Sequence, residues 1–403
     1  MSAATSIHAG ESWDERLLNY LLFGFAFTLP LAICISEPLA FAAVPVWLYR
    51  VMRSRKTGLR RNPYLWPVVA FACVALMVSL WGVRPEISVR KCHRLWLLCL
   101  IFILSDAFDP LRPGGWSRAV RAMTLFISGA TLLGIMDIVR VTVLVARGVS
   151  LYDTGNMRDP QMYLVALCML LTLLLTRRSM VRPAWTWSAL MLNTVGLVLH
   201  FKRGAWFAFG LTAGLMGAWM KRWRVLVVLV LCGVGLLCIP QTRERLGMLQ
   251  REWSKKQGGR YVLWKKVAPK LIRKYPLGMG LGAVRYEDLA RRSPYVQTGL
   301  NHLHNNALQV TLETGWPGLA VWVVWMGMAF TVMARAAKAS VRASPEVSWM
   351  AVGVFSAFTG LMLNGVVEYN FGDSEILMLL CLLMGISCVV RVRLSSQAEA
   401  DPA

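Results

Sequence analysis

Long apolar runs, separated by short polar connections, follow one another along almost the whole chain. An α-helix needs roughly 20 residues to cross a hydrocarbon core of ~30 Å, and most of the runs approach that length. Within lipid, every backbone N–H and C=O group must be paired inside its own segment, so repeated runs without strand-like alternation predict helices. The pattern therefore predicts an all-α fold, a polytopic membrane helix bundle of about 12 transmembrane helices. The predicted spans are 17–36, 38–51, 64–82, 94–107, 121–145, 160–176, 184–200, 204–220, 224–239, 307–335, 347–367 and 375–391.

Two of these spans depart from the usual length. Span 38–51 is short, and span 307–335 is long enough to be tilted or broken,. The predicted count can therefore change by about one.

The composition agrees with a membrane protein, since 56% of the 403 residues are hydrophobic, which is high for a soluble domain. The first sixteen residues contain three acids, Glu11, Asp14 and Glu15, against Arg16. This is the wrong charge for a cleaved signal peptide, so we expect the first apolar run to remain in the mature protein. The nine cysteines include no CxxC pair, and we predict no disulfide framework or metal site from them.

Basic residues lie at alternate connections, as expected for the cytoplasmic loops of a membrane protein. With the N-terminus inside, every inside connection is basic, and both termini are predicted to be cytoplasmic. One outside connection, 83–94, is an exception that carries Arg84, Arg90, Lys91 and Arg94.

One connection is much longer than the others and divides the chain into three predicted regions. These are a transmembrane bundle at 1–239, a loop at 240–305, and the last three spans with a short cytoplasmic tail at 306–403. The topology places the loop in the periplasm, and it contains fourteen Lys or Arg residues against four acids. Such a charge suits a basic face on anionic lipid headgroups, or a cap over the site of a polyanionic substrate. Within it, residues 259–274 interleave apolar residues with cations and predict one or two helices in the interface plane, interrupted at Pro269,.

The strongest candidates for chemistry are His302 and His304, where the loop meets a predicted span. Histidine exchanges a proton near neutral pH, and polar groups at a membrane cavity are costly enough to suggest a function. Alternatively, the histidines bond loop carbonyls while Asn305 and Asn306 cap the next helix. An HxH pair also suits zinc, but no HExxH or CxxC spacing supplies further ligands, so no metal is predicted.

Arginines form the second candidate group. Lys202 and Arg203 lie in a short outside turn, and Arg260 begins the interfacial segment. A guanidinium group is always charged and its planar donors match phosphate oxygens, which suits a diphosphate. The alternative is that these cations extend to lipid headgroups. The glycines in 275–284 predict a tight loop that permits close approach of a substrate.

Three acids, Glu368, Asp373 and Glu375, stand at the outside ends of the last two spans. Acids are scarce on this side, so these carboxylates could fix the tautomer of a histidine or bind a sugar hydroxyl. They could equally cap the start of a helix.

These motifs together resemble the O-antigen ligases and the related O-antigen polymerases and pilin O-oligosaccharyltransferases. The resemblance covers residues from about 190 to 375 and rests on KRGAW at 202–206, GRYVLW at 259–264, YPLGMGLG at 275–282 and HLHNNALQVTLETGWPG at 302–318. It implies a fold like that of the glycosyltransferase-C class. It also implies that a ligase transfers O-antigen from undecaprenyl diphosphate to the lipid A–core oligosaccharide at the periplasmic face, in lipopolysaccharide biosynthesis.

By the same resemblance, the reaction needs neither a nucleotide sugar nor a cofactor. Membrane lipids surround the protein and no nucleic acid is expected as a partner. Arg203 and Arg260 match the diphosphate-binding arginines, with Lys202 adjacent, and His304 matches the catalytic histidine, with His302 adjacent. Asn305 and, more loosely, Asp373 match supporting positions. The first 190 residues carry no matching motif, so the acceptor contacts there are unassigned.

Rival functions remain open. A polymerase would use similar residues, whereas a pilin transferase is expected to carry a further C-terminal domain. A flippase or transporter would place ionisable residues in the middle of its spans, and the sequence offers one such cluster, Asp137 with Arg140. We expect these two residues, three apart on one helix face, to pair with each other.

Overall fold

The computed structural model describes residues 12–54, 59–150, 154–176, 183–254, 259–284 and 302–400. Over these ranges the regular structure is helical and contains no strand. The α-helices are α1 (Trp13–Thr28), α2 (Ile33–Ser54), α3 (Leu65–Trp81), α4 (Pro85–Lys91), α5 (Cys99–Ala107), α6 (Gly115–Ala146), α7 (Asp159–Thr176), α8 (Pro183–Leu199), α9 (Arg203–Trp219), α10 (Trp223–Cys238), α11 (Pro240–Ser254), α12 (Gly259–Val262), α13 (Ala268–Lys274), α14 (Asn306–Ala339), α15 (Pro345–Gly365) and α16 (Ser374–Ala400).

Five helical stretches of the described residues are long and apolar enough to cross a membrane. They are Gly115–Ala146, Asp159–Thr176, Asn306–Arg342, Pro345–Gly365 and Ser374–Glu399. Shorter apolar helices cover Leu65–Trp81, Ala184–Leu199 and Trp223–Gly235. The chain is therefore an all-helical, multi-pass membrane protein. The count of twelve spans and the periplasmic position of the long loop stay predictions.

The predicted boundaries differ from the observed ones near the N-terminus. We expected the first two spans to meet near residue 37, but the break between α1 and α2 lies at residues 29–32. Pro30 lacks a backbone N–H and so favours a helix end there. The predicted span 94–107 is also divided, since a 3₁₀ segment covers Cys92–Leu98 before the nine residues of α5.

Two helices, α7 and α16, lie inside the bundle. On α7, buried residues run without interruption from Asp159 to Leu170, and on α16 the residues from Ile376 to Met384 are at most 7% exposed. Each of these helices is apolar around most of its circumference, as expected for a helix enclosed by others. Helix α10, in contrast, exposes Val227, Val230 and Leu231, which fits a position at the edge of the bundle, facing lipid.

The long helix α14 is broken, as its length suggested. Gly315 has φ 70° and ψ −174°, and Pro317 follows two residues later. The glycine loop, which we define as residues 276–282, fills the break. Its backbone N–H groups at Met279 and Gly280 donate to the carbonyls of Leu312 and Glu313, both at 2.9 Å. The backbone groups that the break frees are therefore paired within the protein, as lipid requires.

The predicted interfacial helices pack differently from our expectation. Apolar residues of 259–274 are buried against the protein itself, in one cluster with Met279, Leu303 and Leu312. The apolar face of this segment thus contacts the protein, and its position in the plane of the membrane interface stays a prediction. Lys265, Lys266, Lys270, Arg273 and Lys274 remain exposed. A π-helical turn at Leu263–Val267 precedes Pro269, where the regular helix resumes. Residues 285–301 of the predicted loop lie outside the described residues.

Candidate functional site

Several helix ends meet at one end of the bundle and bring the candidate residues together. Helices α7, α9, α14 and α16 begin there, and α8 and α15 end there. Short connections between these helices hold most of the polar residues that the sequence singled out. Helix α12 lies beside them and contributes Arg260.

A cavity of about 130 Å³, which we call the cationic cavity, contains the predicted arginines. Lys202, Arg203 and Arg260 line it, together with His200 and Glu368. The structure therefore brings together two arginines that are 57 positions apart in the sequence. Gly204 permits this packing, because a Cβ atom there would lie 2.7 Å from Cγ2 of Val367. Three cations against one carboxylate give the cavity a positive charge that suits an anionic ligand.

The histidine pair lies beside this cavity and is joined to it by Glu368. Nδ1 of His304 is 2.8 Å from Oε1 of Glu368, and the Arg260 guanidinium is 3.6 Å from Oε2 of the same carboxylate. The rings of His302 and His304 are 4.2 Å apart at an angle of 66°. His304 adopts a positive φ of 49°, which is uncommon for a residue with a side chain and suggests a functional constraint.

The hydrogen bonds assign a different tautomer to each histidine. The Glu368 carboxylate accepts a hydrogen bond from Nδ1–H of His304, so in neutral His304 the free lone pair is on Nε2,. Nδ1 of His302 accepts from the backbone N–H of His304 at 3.3 Å, so its proton is on Nε2,. His304 is thus arranged as a base and His302 as a hydrogen-bond donor.

The pKa values of His302 and Glu368 indicate which of these groups is charged near pH 7. Burial, assisted by the charge of His304, lowers the pKa of His302 to about 4, so this ring is neutral near pH 7,. Burial alone would raise the pKa of Glu368. The hydrogen bond from His304 and the charges of His304, His302 and Arg260 outweigh burial and lower it,. Glu368 is therefore a carboxylate at neutral pH.

A second cavity, of about 410 Å³, lies next to His302. We call it the mixed-charge cavity, since Lys91 and Arg94 line it together with Glu313 and Asp373. His302 and Tyr369 also line it. The predicted supporting residue Asp373 is therefore here, away from the two arginines. Burial and the charge of Glu375 raise the pKa of Asp373 to about 6.

Two further residues fix the chain around the histidines. Asn305 caps α14, its side chain accepting from the backbone N–H of Leu308 at 2.9 Å, and its amide donates to the carbonyl of Val366 at 2.7 Å. Trp264 donates from Nε1 to the carbonyl of Leu303, between the two histidines, at 2.7 Å. Asn305 therefore caps the helix, as one of our two interpretations predicted. This cap is present together with the bond between His304 and Glu368.

A buried polar network lies behind the turn that contains Lys202 and Arg203. His200 is 1% exposed, and its Nε2 is 2.7 Å from Oδ2 of Asp137, to which Tyr163 also donates at 2.6 Å. Nδ1 of His200 accepts from the backbone N–H of Asn156 at 3.1 Å. Arg140 pairs with Asp137 at 3.0 Å, as its spacing predicted. The network fixes His200, three residues before Arg203.

Among the described residues, two groups offer donors close enough to hold a metal ion. His302, His304 and Glu368 form one, and Asp137, Asp159 and His200 form the other, each with ligand atoms within 4.8 Å. In each group one histidine already bonds to a carboxylate, His304 to Glu368 and His200 to Asp137. Arg260 next to Glu368 disfavours a cation in the first group,.

The sequence named Glu368 as one of three acids that could fix the tautomer of a histidine, but the pattern could not choose between them. Other site residues received no role. Lys91 and Arg94 were noted only as an exception to the charge rule, and this exception was the signal of the mixed-charge cavity. His200 was not singled out, although a histidine two residues before KRG is rare enough in this chain, which has five histidines, to have drawn attention.

The apolar helices and the polar site at their meeting ends define a multi-pass helical membrane protein with an enclosed polar centre. Residues 186–323, about a third of the chain, match the family model described as O-antigen ligase. The matched segment includes Lys202, Arg203, Arg260, His302 and His304 and ends before Glu368. This family consists of membrane enzymes that resemble glycosyltransferases. A comparison with curated proteins found no match.

Proposed function

We propose that this protein is an O-antigen ligase, which transfers O-antigen polysaccharide from undecaprenyl diphosphate to the lipid A–core oligosaccharide at the periplasmic face of the inner membrane. The observation that carries the proposal is the arrangement around Glu368. Its carboxylate contacts the candidate base His304 on one side and the candidate diphosphate-binding residue Arg260 on the other.

The donor diphosphate occupies the cationic cavity, where Arg203, Arg260 and Lys202 neutralise its charge. Nε2 of His304 accepts the proton of the acceptor hydroxyl, and the hydroxyl oxygen forms a bond with the anomeric carbon of the donor sugar. The bond between this carbon and the diphosphate oxygen breaks, and its electron pair leaves with the diphosphate. Attack from the face opposite the leaving group inverts the anomeric centre.

Glu368 contributes both to the basicity of His304 and to the position of the residue that binds the leaving group. It keeps the Nδ1 proton on His304, so that Nε2 is the basic atom, and it stabilises the imidazolium that forms when the hydroxyl proton arrives. Its proximity to Arg260 couples the position of the base to that of the leaving group. The arginines take the place that a divalent cation occupies in many transferases, so no metal is required.

The second candidate is a polymerase of the same family, which would extend the glycan on its lipid carrier. The family match favours it as much as the ligase. A deletion strain separates the two, because loss of a ligase leaves long O-antigen chains on undecaprenyl diphosphate and none on lipid A. Loss of a polymerase leaves no long chains on either lipid.

The direct test is transfer by the purified protein in vesicles that contain lipid-linked glycan and lipid A–core. We expect His304→Ala to lower kcat by about 10²-fold or more, and Arg203→Ala and Arg260→Ala to weaken donor binding as well. Arg273→Ala, which changes an exposed arginine of α13, is the control. Normal transfer by a correctly inserted His304→Ala variant would remove the proposal.

A chelator tests the absence of a metal separately. We expect transfer to persist in EDTA, and to be unchanged when Zn²⁺ or Mg²⁺ is then added. Loss of transfer in EDTA, restored by one of these ions, would assign the His302, His304 and Glu368 group to a metal and would contradict the arginine mechanism.

A further inference from the structure

The mixed-charge cavity has no part in the reaction as described so far, yet it lies next to the same residues. His302 lines it, and Tyr369, which lines it too, follows Glu368 of the cationic cavity directly in the sequence. The two cavities are therefore adjacent at residues 368–369, and His304 bonds to Glu368 at this junction. Group transfer requires the acceptor to lie next to both the base and the bound donor, and two adjacent cavities provide this arrangement.

The charges distinguish the ligands that the two cavities suit. The cationic cavity has three cations against Glu368, whereas Lys91 and Arg94 of the mixed-charge cavity face two carboxylates, Glu313 and Asp373. A diphosphate, with its concentrated negative charge, fits the first cavity better, because there three cations face a single carboxylate,. Paired cations and carboxylates suit a saccharide, whose hydroxyl groups both donate and accept hydrogen bonds.

Close packing of the glycine loop against α4 fixes the position of Lys91. Gly280 and Gly282 have φ values of 101° and 62°, and a Cβ atom on Gly282 would lie 2.9 Å from Cγ of Lys91. The glycine loop therefore passes close along α4, and the last residue of this helix reaches the cavity. The charge of Arg94, one turn further on, lowers the pKa of Lys91. Two cations this close to each other are stabilised by an anionic group between them.

The remaining walls also suit a sugar bound to lipid. Phe71, Leu95, Leu98 and Leu377 line the cavity on one side, and Tyr369 and Phe371 add aromatic faces. Aromatic rings pack against the apolar faces of sugars, and the volume of about 410 Å³ lies within the range of small-ligand pockets,.

We propose that the mixed-charge cavity binds the acceptor saccharide, with Lys91 and Arg94 contacting an acidic substituent and Asp373 accepting hydrogen bonds from hydroxyl groups. This inference rests on the proposed function, since it assigns the second substrate of the same reaction. It places the acceptor hydroxyl in the cavity that His302 lines, near His304, and the donor in the cavity that Arg203 lines.

The test compares the Michaelis constants of the two substrates for Lys91→Met and Asp373→Asn. Loss of one charge-assisted contact should raise the acceptor KM by about tenfold, and leave the donor KM within about twofold of the wild-type value. Arg203→Met should show the reverse. Lys266→Met, which changes an exposed lysine outside both cavities, is the matched control. A Lys91→Met variant that raises the donor KM, or neither KM, would overturn the assignment.

The acidic substituent is tested with altered acceptors. Phosphatase-treated lipid A–core and carboxyl-reduced lipid A–core distinguish a phosphate from a sugar carboxylate. For whichever treatment removes the substituent, the wild-type and Lys91→Met proteins should differ by less than about twofold in acceptor KM. A difference that survives both treatments would show that Lys91 contacts no acidic group.

If the protein is a polymerase and not a ligase, the assays give a different result from the one expected above. In that case the wild-type protein makes no product on lipid A–core but lengthens the lipid-linked glycan. The same variants are then measured with the growing glycan as acceptor, and the assignment still requires that Lys91→Met act on the acceptor KM alone.

Discussion

At the residue scale, Glu368 makes the contacts that join His304, the proposed base, to the cationic cavity. Its Oε1 accepts from Nδ1 of His304 at 2.8 Å and from the backbone N–H of Tyr369 at 3.2 Å. A carboxylate in this position excludes the tautomer with its proton on Nε2, because that tautomer would place two acceptors against each other. The chemistry expected of His304 therefore depends on a residue five positions from the family's loosely matching Asp373.

Glu368→Gln tests this dependence. The amide can donate to His304 and so favour the tautomer in which Nε2 carries the proton. We expect kcat to fall by roughly 10²-fold or more, with a smaller change in donor KM. Glu346→Gln is the control, since Glu346 accepts from Trp116 at 2.6 Å at the other end of α15. Equal activity of the two variants would show that Glu368 does not position the base.

The lowered pKa of His302 predicts that the stability of the folded protein depends on pH. Its pKa is about 4 in the folded protein against an ordinary 6.5. Between these values the unfolded chain takes up a proton that the folded protein does not, so folding stability falls as the pH is lowered from 6.5 towards 4. The midpoint of thermal unfolding in detergent should fall more steeply over this interval in the wild type than in His302→Gln. Parallel curves for the two proteins would contradict the lowered pKa.

At the element scale, the break in α14 and the glycine loop form one unit. Gly315 permits the break because its φ is positive, and a Cβ atom there would lie 2.4 Å from the carbonyl carbon of Leu277. Trp316 donates its backbone N–H to the carbonyl of Pro276 at 3.0 Å. The unit fixes the first turns of α14, which begin directly after the histidine pair, and its loop contacts Lys91.

Gly315→Ala should therefore destabilise the protein by about 2 kcal/mol or more, since it combines backbone strain with a backbone clash. Gly327→Ala is a matched control on the same helix, because no atom lies within 4 Å of its added Cβ, and we expect little change or a slight gain in stability. Thermal unfolding in detergent measures both. Equal midpoints for the two variants would show that the break does not need glycine.

The turn before α9 offers a second test at this scale. His200 accepts from Asn156 and contacts Asp137, so His200→Ala leaves a buried carboxylate with fewer partners and loosens the turn before Arg203. We expect the donor KM to rise about fivefold or more while the acceptor KM stays the same. His200→Gln, whose amide can both donate and accept, should restore most of the affinity. If the acceptor KM rises equally, the effect of His200 is on folding alone.

The sequence predicted the helices better than the connections between them. Length and apolarity are properties of a single segment, so the runs at 160–176, 184–200 and 347–367 lie within about two residues of α7, α8 and α15. The break in α14 was foreseen from its length. The pairing of the glycine loop with that break was not, because it joins residues more than thirty positions apart. For the same reason the apolar face of 259–274 was placed against lipid, although its partners are Met279, Leu303 and Leu312.

At the scale of the whole molecule, the two cavities differ in how far the sequence could predict them. Arg203, Arg260 and His304 were found from residue type and motif, and the structure brings the two arginines into one cavity beside the His304–Glu368 pair. Lys91 and Arg94 belong to a segment without a motif. Their basic charge, on a side predicted to be outside, conflicted with the rule for membrane orientation, and the mixed-charge cavity supplies the physical reason for this exception.

Orientation is the property on which the whole proposal depends, since lipid-linked glycan is used on the outer side of the inner membrane. The helix ends at the site are opposite to the turn between α9 and α10, which contains Lys221 and Arg222. Labelling of intact cells with a membrane-impermeant maleimide tests this. The variant Lys270→Cys, at an exposed position of α13, should gain label over the wild type, because α13 packs next to the site. The variant Lys221→Cys should gain label only after the membrane is permeabilised. The opposite pattern would place the arginines and histidines on the cytoplasmic side. That position would conflict with the orientation predicted from the basic loops, and it would separate the site from the proposed donor.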